Sequence, residues 1–244
     1  MCPYMGASRS TQAWNADGAD KRAAVQRMFA DIAPTYDLCN SMMSLRLHHR
    51  WRAYAVFLLN LSEGGVVADI CCGTGDFFKP IRKAIGQRGR LLGVDFCAPM
   101  LEIAGAKDPL AGRALGDACR LPMQSGSVDA VTVGWGIRNV PDIDAAHREI
   151  QRVLKSGGRF VSIDMAVPQN GFVRAMSRFM TLKMLPRLGS LFGKKDAYTY
   201  LPKSTQTFRS REELKLSMEA AGLSNVEFRD LFFGNICIHS GVKL

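Results

Sequence analysis

No apolar run in this sequence is long enough to cross a bilayer. The longest, residues 56–61, is interrupted by Asn60, whereas a membrane-spanning helix needs about 20 apolar residues. Residues 1–20 are polar and lack the apolar centre of a signal peptide, so we expect a flexible N-terminus there. Internal repeats and low-complexity tracts are also absent. What remains is a chain of 244 residues, 47% of them hydrophobic, which predicts one globular domain over residues 21–244.

The seven cysteines follow no framework spacing. Cys71 and Cys72 are adjacent, which suits neither a disulfide nor a zinc knuckle. We interpret them as small buried side chains in a reducing compartment. No metal site is predicted.

The chain is basic, with a formal net charge of +10. Binding to a nucleic acid, binding to an anionic lipid surface and solubility alone would each explain this charge, and the charge does not distinguish them. Seven basic residues lie in residues 171–203, interleaved with apolar side chains and opposed by one acid, Asp196. This profile predicts a basic amphipathic insertion that lies over a pocket or on a membrane surface. A helix packed on the core, with its basic residues in solvent, is the other interpretation.

A glycine loop follows the first buried strand of the predicted sheet. The apolar run Val66–Ile70 leads into Gly73, Thr74 and Gly75, where the chain can turn sharply and a ligand can approach the backbone. A second apolar run ends at Asp95, about 20 residues after the glycines, which is the spacing that puts a carboxylate beside a bound ribose in an open α/β sheet.

A dinucleotide is the obvious rival ligand, but the loop opposes it. The Gly-x-Gly-x-x-Gly pattern needs a third glycine where this chain has Phe78. Asp69 and Asp76 bracket the loop, and their charge disfavours a pyrophosphate. Carboxylates suit a nucleoside that carries positive charge, such as S-adenosyl-L-methionine with its sulfonium and ammonium groups. The loop therefore predicts a class I S-adenosylmethionine-dependent methyltransferase.

Strand and helix patterns alternate from residue 66 onward, which predicts a Rossmann-like α/β sheet with parallel strands. Helical patterns over 21–32 and 47–61, with a loop or short helix at 33–40 between them, predict an N-terminal helical cover over residues 21–63. A final hairpin turning at Gly234-Asn235 gives a seven-stranded sheet whose last hairpin is antiparallel. The predicted strands are 66–70, 91–95, 114–116, 130–133, 159–165, 226–232 and 236–240, and the later helices are 77–85, 99–106, 143–154 and 211–221.

Six local strings resemble the C-methyltransferases of ubiquinone and menaquinone biosynthesis. The most specific are Gly-Ile-Arg-Asn-Val at 136–140 and the two C-terminal strings, Tyr-Thr-Tyr-Leu-Pro-Lys-Ser at 198–204 and Ile-His-Ser-Gly-Val-Lys at 238–243. The others lie at 29–37, 69–76 and 152–158, the last with Ser156 where proline is usual. Together they cover about residues 20–244.

The resemblance implies contacts to S-adenosylmethionine at positions around the predicted crevice. Thr74 and its flanking glycines would hold the methionine end, Asp95 the ribose hydroxyls, and Asp117 the adenine amino group. The full implied set is Gly73, Thr74, Gly75, Asp95, Asp117, Ala118 and Gly134.

The resemblance also implies the acceptor, a reduced polyprenyl quinone that is methylated on a ring carbon. The Cys-Cys-Gly-Thr-Gly-Asp loop favours demethylmenaquinol over a methoxylated benzoquinol. Arg138 would hold phenolate charge, with a structural salt bridge as the other interpretation, and Asn139 would fix a ring oxygen. The proton acceptor stays open among water, Tyr36, Asp37 and His239, and His239 could instead be packing.

Two other functions remain candidates at this point. An RNA methyltransferase would suit the charge, but the chain lacks an Asn/Asp-Pro-Pro-aromatic string after strand four. A catalytically silent cofactor-binding module is opposed by the intact Asp95 and Arg138-Asn139. We therefore expect a lipid-soluble quinol and an anionic membrane surface as partners, no nucleic acid, and a location at the cytoplasmic face of the membrane. The oligomeric state, a homodimer included, stays open.

Overall fold

The computed structural model describes residues 18–180, 204–205 and 208–244, with side chains from residue 23 onward. Most of the predicted flexible N-terminus, residues 1–17, lies outside the described residues. So does most of the predicted basic insertion, from 181 to 203. Within the described part, no helix combines the length and the apolar character needed to cross a membrane.

The sheet in the described chain has seven strands in the order β3-β2-β1-β4-β5-β7-β6. The first five are mutually parallel, whereas β7 pairs antiparallel with both β5 and β6. The predicted class I methyltransferase fold, with its antiparallel final hairpin, is thereby confirmed. The strands are β1 Val66–Ile70, β2 Arg90–Asp95, β3 Gly112–Leu115, β4 Val128–Gly134, β5 Leu154–Met165, β6 Ser224–Leu231 and β7 Ile236–Val242.

Helices cover both faces of this sheet. Short 3-10 turns occupy Ala33–Thr35, Ile137–Asn139 and Phe232–Gly234. The described α-helices are α1 Gly18–Ile32, α2 Tyr36–Met43, α3 Leu47–Leu58, α4 Phe78–Ile85, α5 Ala98–Lys107, α6 Ile143–Val153, α7 Gly171–Phe179 and α8 Arg211–Ala220.

Alternation along the central strand explains why the sheet needs two layers of helices. Val67 packs into a cluster with α3, α4 and α5, whereas Ala68 and Ile70 face a second cluster with α6 and α8. Successive strand side chains point to opposite faces, so a strand that is apolar throughout must be covered on both. Burying each large side chain, such as Phe78 or Ile150, stabilises the fold by about 1.5–3 kcal/mol.

The start of β5 differs from the sequence prediction. Residue 154 was predicted as the end of a helix and Gly157-Gly158 as a turn before the strand, but β5 already begins at Leu154. Its register passes from Val128 opposite Leu154 to Ala130 opposite Arg159, which makes the glycines part of an irregularity within the strand. Gly157 adopts a φ of 79°, and its N–H donates to the Lys243 carbonyl at 2.7 Å.

The final turn also differs. β6 ends at Leu231, and Phe232, predicted as the last strand residue, opens a 3-10 turn instead. Phe232 and Phe233 both adopt positive φ, at 48° and 56°. These values take the backbone out of the extended region, so the strand cannot continue.

Candidate active site

A cavity of about 340 Å³ opens at the carboxyl ends of β1, β2 and β4, beneath the helices of the cover. Its size is at the lower end of the range of about 300–1,000 Å³ typical of small-molecule sites. The wall residues from the sheet loops are Cys71, Gly73, Asp95, Phe96, Gly116, Asp117, Ala118, Gly134, Trp135, Gly136, Asn139, Val140 and Pro141, and those from the helices include Val25, Phe29, Tyr36 and Met100.

Gly73 and Gly75 of the loop have different structural roles. A Cβ built on Gly73 would meet nothing within 4 Å, so its bare backbone faces open space at the cavity wall. A Cβ on Gly75 would lie about 3 Å from Phe78 and Ala104, away from the cavity. Both have positive φ. Gly73 therefore lets a ligand approach the main chain, whereas Gly75 lets α4 and α5 close against the loop.

Asp95 is the carboxylate that the cavity wall presents at the end of β2. One oxygen accepts from the Gly73 N–H at 2.8 Å and the other from the Cys97 N–H at 2.9 Å. Burial raises its pKa, and these backbone hydrogen bonds oppose that rise. Each carboxylate oxygen keeps further acceptor capacity, so Asp95 can still receive two hydroxyl protons from a diol.

Asp117 and Ala118 line the cavity beyond β3, as their place after a strand predicted. One oxygen of Asp117 accepts from the Cys119 N–H at 2.9 Å, which closes the turn on itself. The residue thereby stays fixed at the same cavity wall that Asp95 lines.

The loops after β1 and β4 press against each other at the cavity floor. A Cβ on Gly136 would lie 2.3 Å from the Cβ of Cys71, and one on Gly134 would lie 2.5 Å from the Phe77 ring. Cys71 and Trp135 both adopt positive φ, at 54° and 55°. Gly134 lines the cavity as predicted, but its missing side chain also makes room for Phe77.

Thr74 lies outside the cavity wall, in a polar cluster that joins the glycine loop to the cover. Its hydroxyl donates to Asp37 at 2.6 Å. Lys107 bridges the second Asp37 oxygen at 2.7 Å and Asp76 at 2.6 Å. Asp37, predicted as a candidate base, is therefore occupied by a hydroxyl and an ammonium group.

Arg52 completes this polar cluster from α3. It lies 3.2 Å from Asp76, and its guanidinium stands over the Trp135 ring at 4.5 Å. Burial alone would raise the pKa of Asp76, but Arg52 and Lys107 hold it below its ordinary value. Burial and the neighbouring Arg52 lower the pKa of His48 to about 4.

The two carboxylates that the sequence placed around the ligand, Asp69 and Asp76, both lie outside the cavity wall. Asp76 is paired with cations of the cover. Asp69 accepts from the Thr132 hydroxyl at 2.6 Å, and burial raises its pKa to about 7. The acidic character of the wall comes instead from Asp95 and Asp117.

Arg138 and Asn139 separate in the structure. Arg138 forms a buried ion pair with Asp164 at 2.5 Å and donates to the Trp135 carbonyl at 2.8 Å, outside the cavity wall. Burial raises the pKa of Asp164, and Arg138 opposes that rise. Asn139 lines the cavity. The salt bridge weighed as the other interpretation of Arg138 is thus present.

Tyr36 and His239, the remaining candidates for proton transfer, lie in different places. Tyr36 lines the cavity, and burial raises its pKa against the effect of its hydrogen bond to Asn40. At neutral pH the Tyr36 hydroxyl is therefore protonated and can donate a hydrogen bond. His239 is buried on β7, where its ring bonds the Arg211 carbonyl at 2.9 Å and tilts against Phe228.

Sequence reasoning missed several residues of this site. Cys71 and Phe96 each follow a strand directly, and that position alone could have marked them, because ligands bind at the carboxyl ends of parallel strands. Arg52 and Lys107 carried no such signal, since their roles depend on how α3 and α5 pack.

The comparisons with known proteins decide the family. The model described as the ubiE/COQ5 methyltransferase family matches residues 17–243. The chain belongs to this family. A demethylmenaquinone methyltransferase of Lactiplantibacillus plantarum is 36% identical over 90% of this chain and 95% of its own. One from Staphylococcus saprophyticus is 35% identical over 93% of this chain and all of its own.

Solved structures agree at the level of the fold. A possible histamine N-methyltransferase from Thermotoga maritima superposes with a TM-score of 0.65 at 21% identity, covering 90% of this chain and 99% of its own. A geranyl diphosphate C-methyltransferase from Streptomyces coelicolor, solved with S-adenosyl-L-homocysteine, gives 0.61 at 17% identity, covering 82% of this chain and 80% of its own.

As a member of the ubiE/COQ5 family, the chain is a methyltransferase that uses S-adenosyl-L-methionine. The described residues fit this donor. Gly73 opens its backbone to the cavity, Asp95 keeps acceptor capacity for a ribose, and the acids of the wall, Asp95 and Asp117, suit a donor with a net positive charge.

Proposed function

We propose that this enzyme methylates a ring carbon of a reduced polyprenyl quinone, with demethylmenaquinol as its preferred acceptor. The observation that supports this most directly is that Asp95, Asp117, Tyr36 and Asn139 line one cavity. The two acids suit a nucleoside, and the tyrosine and asparagine suit the oxygens of an aromatic ring. The extensive similarity to demethylmenaquinone methyltransferases supports the choice of acceptor.

The acceptor must be the quinol, because a quinone ring carbon is electron-poor. Loss of one phenolic proton to water moves electron density onto the adjacent ring carbon. S-Adenosylmethionine supplies a methyl group on a positively charged sulfur, which keeps the electron pair of the broken sulfur–methyl bond. The ring carbon forms the new bond to the methyl group and then loses its own proton to water. The phenolate oxygen finally regains a proton from water, so that one proton is released overall.

The donor half of the cavity consists of Gly73, Asp95 and Asp117 at the ends of the first three strands. Asp95 would accept from the two ribose hydroxyls, and Asp117 would accept from the adenine amino group. Both acids are fixed by backbone N–H groups before any ligand arrives. Such preorganisation reduces the ordering cost of binding.

The acceptor half consists of Tyr36, Trp135 and Asn139. Tyr36, protonated at neutral pH, would donate to a ring oxygen and stabilise its developing negative charge. Asn139 would orient the other oxygen. Arg138 would act as a positioning residue, because its pairing with Asp164 fixes the turn that carries Asn139. Water is the proton acceptor in this scheme, since Asp37 and His239 are already engaged.

The acceptor is tested by offering the enzyme and S-adenosylmethionine reduced demethylmenaquinone, a reduced methoxylated benzoquinone and total RNA in parallel. Mass spectrometry should find one added methyl on the naphthoquinol ring. If only the benzoquinol is methylated, the acceptor is the benzoquinol and not demethylmenaquinol. Methylated RNA without any methylated quinol would refute the proposal and favour the RNA alternative.

We also propose that α7 docks the enzyme on the cytoplasmic face of an anionic membrane. Phe172 is 78% exposed and Phe179 58%, and Arg174 and Arg178 lie between them along the same helix. Each basic residue near an anionic surface contributes about 1 kcal/mol at modest salt. A polyprenyl quinol resides in a bilayer, so an enzyme bound to the bilayer surface has direct access to this substrate.

Vesicle sedimentation tests the docking. Binding should be stronger to anionic than to zwitterionic vesicles, should weaken with salt, and should fall further in Phe172→Ser/Phe179→Ser. Leu216→Ser is the matched control, since Leu216 is 63% exposed on α8. Equal effects of the two changes, or binding indifferent to salt, would contradict the proposal.

A further inference from the structure

Four aromatic side chains form a continuous row from the cavity wall to the protein surface. Trp135 lines the cavity, and its ring centroid lies 6.4 Å from that of Trp51. Trp51 lies 5.7 Å from Phe232, and Phe232 lies 5.9 Å from Phe233. Each step falls within the range of about 4.5–7 Å for interacting aromatic rings. The row therefore connects the acceptor half of the cavity with solvent.

Exposure rises along the row. Trp135 and Trp51 are half-buried and pack against the core, whereas Phe232 is 51% exposed and Phe233 79%. Both phenylalanines adopt left-handed backbone angles, which cost on the order of 1–3 kcal/mol each for such side chains. Glycine or asparagine would adopt this turn more easily. Fold stability alone does not explain two exposed aromatic residues in such a turn.

The row is held in place at both ends. Arg52 stands over the Trp135 ring at 4.5 Å, which fixes the inner end. The Asn235 side chain donates to the Phe232 carbonyl at 3.0 Å and also bonds Ser177 of α7. The outer end is thus tied to the helix for which we propose membrane contact.

We propose that Trp135, Trp51, Phe232 and Phe233 form the binding track for the isoprenoid tail of the quinol. The inference rests on the proposed function, because it places the acceptor ring in the acceptor half, beside Trp135. The tail is apolar and leaves the ring next to the methylated carbon, so it needs an apolar path that starts there. One isoprene repeat has four bonds of about 1.5 Å, which span about 5 Å in an extended chain because of the bond angles. That span is close to one ring-to-ring step, so the track takes about three units.

Kinetics with a tail series tests the track. Demethylated naphthoquinols with zero, one, two, three and four isoprene units are compared in detergent, without membranes. The wild-type KM should fall with each unit up to about three and then level off. In Phe232→Ala the KM for the three-unit quinol should rise about tenfold, the effect of losing one apolar contact of about 1.4 kcal/mol. Its kcat, and its KM for the tail-less quinol, should stay within about twofold.

Two further variants separate this role from structural damage. Phe232→Leu keeps an apolar surface and should restore most of the affinity for the tail. Phe57→Ala is the matched control, because Phe57 is an exposed phenylalanine of α3 whose ring stacks on Tyr54 rather than on Trp51. It should leave the whole series unchanged.

A photoreactive diazirine on the second isoprene unit gives a readout independent of turnover. Crosslinks should map to the peptides that contain Trp51 or Phe232. Crosslinks elsewhere, a wild-type KM indifferent to tail length, or a Phe232→Ala effect equal for tailed and tail-less quinols would each overturn the track while leaving quinol methylation intact. Failure of the wild-type enzyme to methylate any quinol would instead refute the proposed function, and the track with it.

Discussion

The two halves of the cavity treat their carboxylates differently. Around the donor half, Asp95 is held by backbone N–H groups and Asp69 by a hydroxyl, all neutral donors. At the acceptor half, the buried Asp164 pairs with a cation, Arg138. The ion pairs of Asp37 and Asp76 with Lys107 and Arg52 lie outside the cavity wall, where the glycine loop meets the cover.

This difference matches the charges of the two ligands. A methyl donor with a positively charged sulfur gains from a nearby carboxylate such as Asp95, which is held by neutral donors, because buried charges interact strongly where the dielectric is low. The quinol binds as a neutral molecule, and the carboxylate at its half, Asp164, is balanced by Arg138. The Arg138–Asp164 pair of the acceptor half therefore holds the fold in place, whereas Asp95 of the donor half keeps acceptor capacity for a ligand.

The largest effect that would test this contrast is expected at Arg138. Arg138→Ala leaves Asp164 buried without its cation, which should lower the free energy of unfolding by about 3–5 kcal/mol. Urea denaturation at neutral pH measures the loss. In the double variant Arg138→Met/Asp164→Leu most of the stability should return, because both charges are gone.

The double variant also separates structure from chemistry at Arg138. Normal kcat in a folded double variant would show that the arginine charge takes no part in methyl transfer. An Arg138→Ala protein as stable as the wild type would show that the Arg138–Asp164 pair does not stabilise this half of the cavity.

The next effect concerns the donor half. Asp95→Asn removes a carboxylate that we expect to accept two ribose hydroxyls, and charge-assisted hydrogen bonds contribute about 1.5–3 kcal/mol each. The dissociation constant for S-adenosylmethionine, measured by calorimetry, should rise about 100-fold.

The matched control for Asp95 is Asp129→Asn. Asp129 lies at the opposite end of the sheet, where it accepts from the Val66 N–H and pairs with Lys155. Its replacement should leave cofactor affinity unchanged. An unaltered dissociation constant in Asp95→Asn would discard the ribose role.

The smallest effect is a pH dependence from His48 in the cover. Burial and Arg52 lower its folded pKa to about 4, so between about 6.5 and 4 the unfolded chain binds the proton more readily. Stability should therefore fall as pH drops below about 6.5, by about 1 kcal/mol between pH 7.5 and 5.5. His48→Asn should lose this part of the slope, as measured by urea denaturation at each pH. An identical slope in both proteins would exclude His48 as its source.

Much of the donor half was predictable because it depends on strand order alone. Asp95 and Gly134 end a strand, Gly73 and Asp117 follow one, and parallel strands bring their carboxyl ends to one edge. The antiparallel final hairpin was predicted for a similar reason, since a two-residue turn signal joins neighbouring runs. Local pattern and topology suffice for such features.

The acceptor half depended on packing between distant segments. Nothing in the neighbourhood of Arg138 indicates that Asp164 lies within 2.5 Å of it. The strand pattern around His239 likewise does not say which face of the sheet it occupies, since either register fits an apolar run. The partners of Asp37 come from residues 37 and 70 positions away, Thr74 and Lys107.

The contact between Gly134 and Phe77 limits how the pocket can be re-engineered. Bulkier synthetic alkyl donors require a larger chamber, and Gly134 offers no route to one because it has no side chain to shorten. Any side chain added there would collide with the Phe77 ring, 2.5 Å from its Cβ. A redesign would begin by replacing Phe77 with a smaller residue. Because Phe77 is buried in the core, a larger residue elsewhere in the core would have to fill the remaining space. A phenylalanine behind the cavity wall therefore restricts which side chains position 134 can hold.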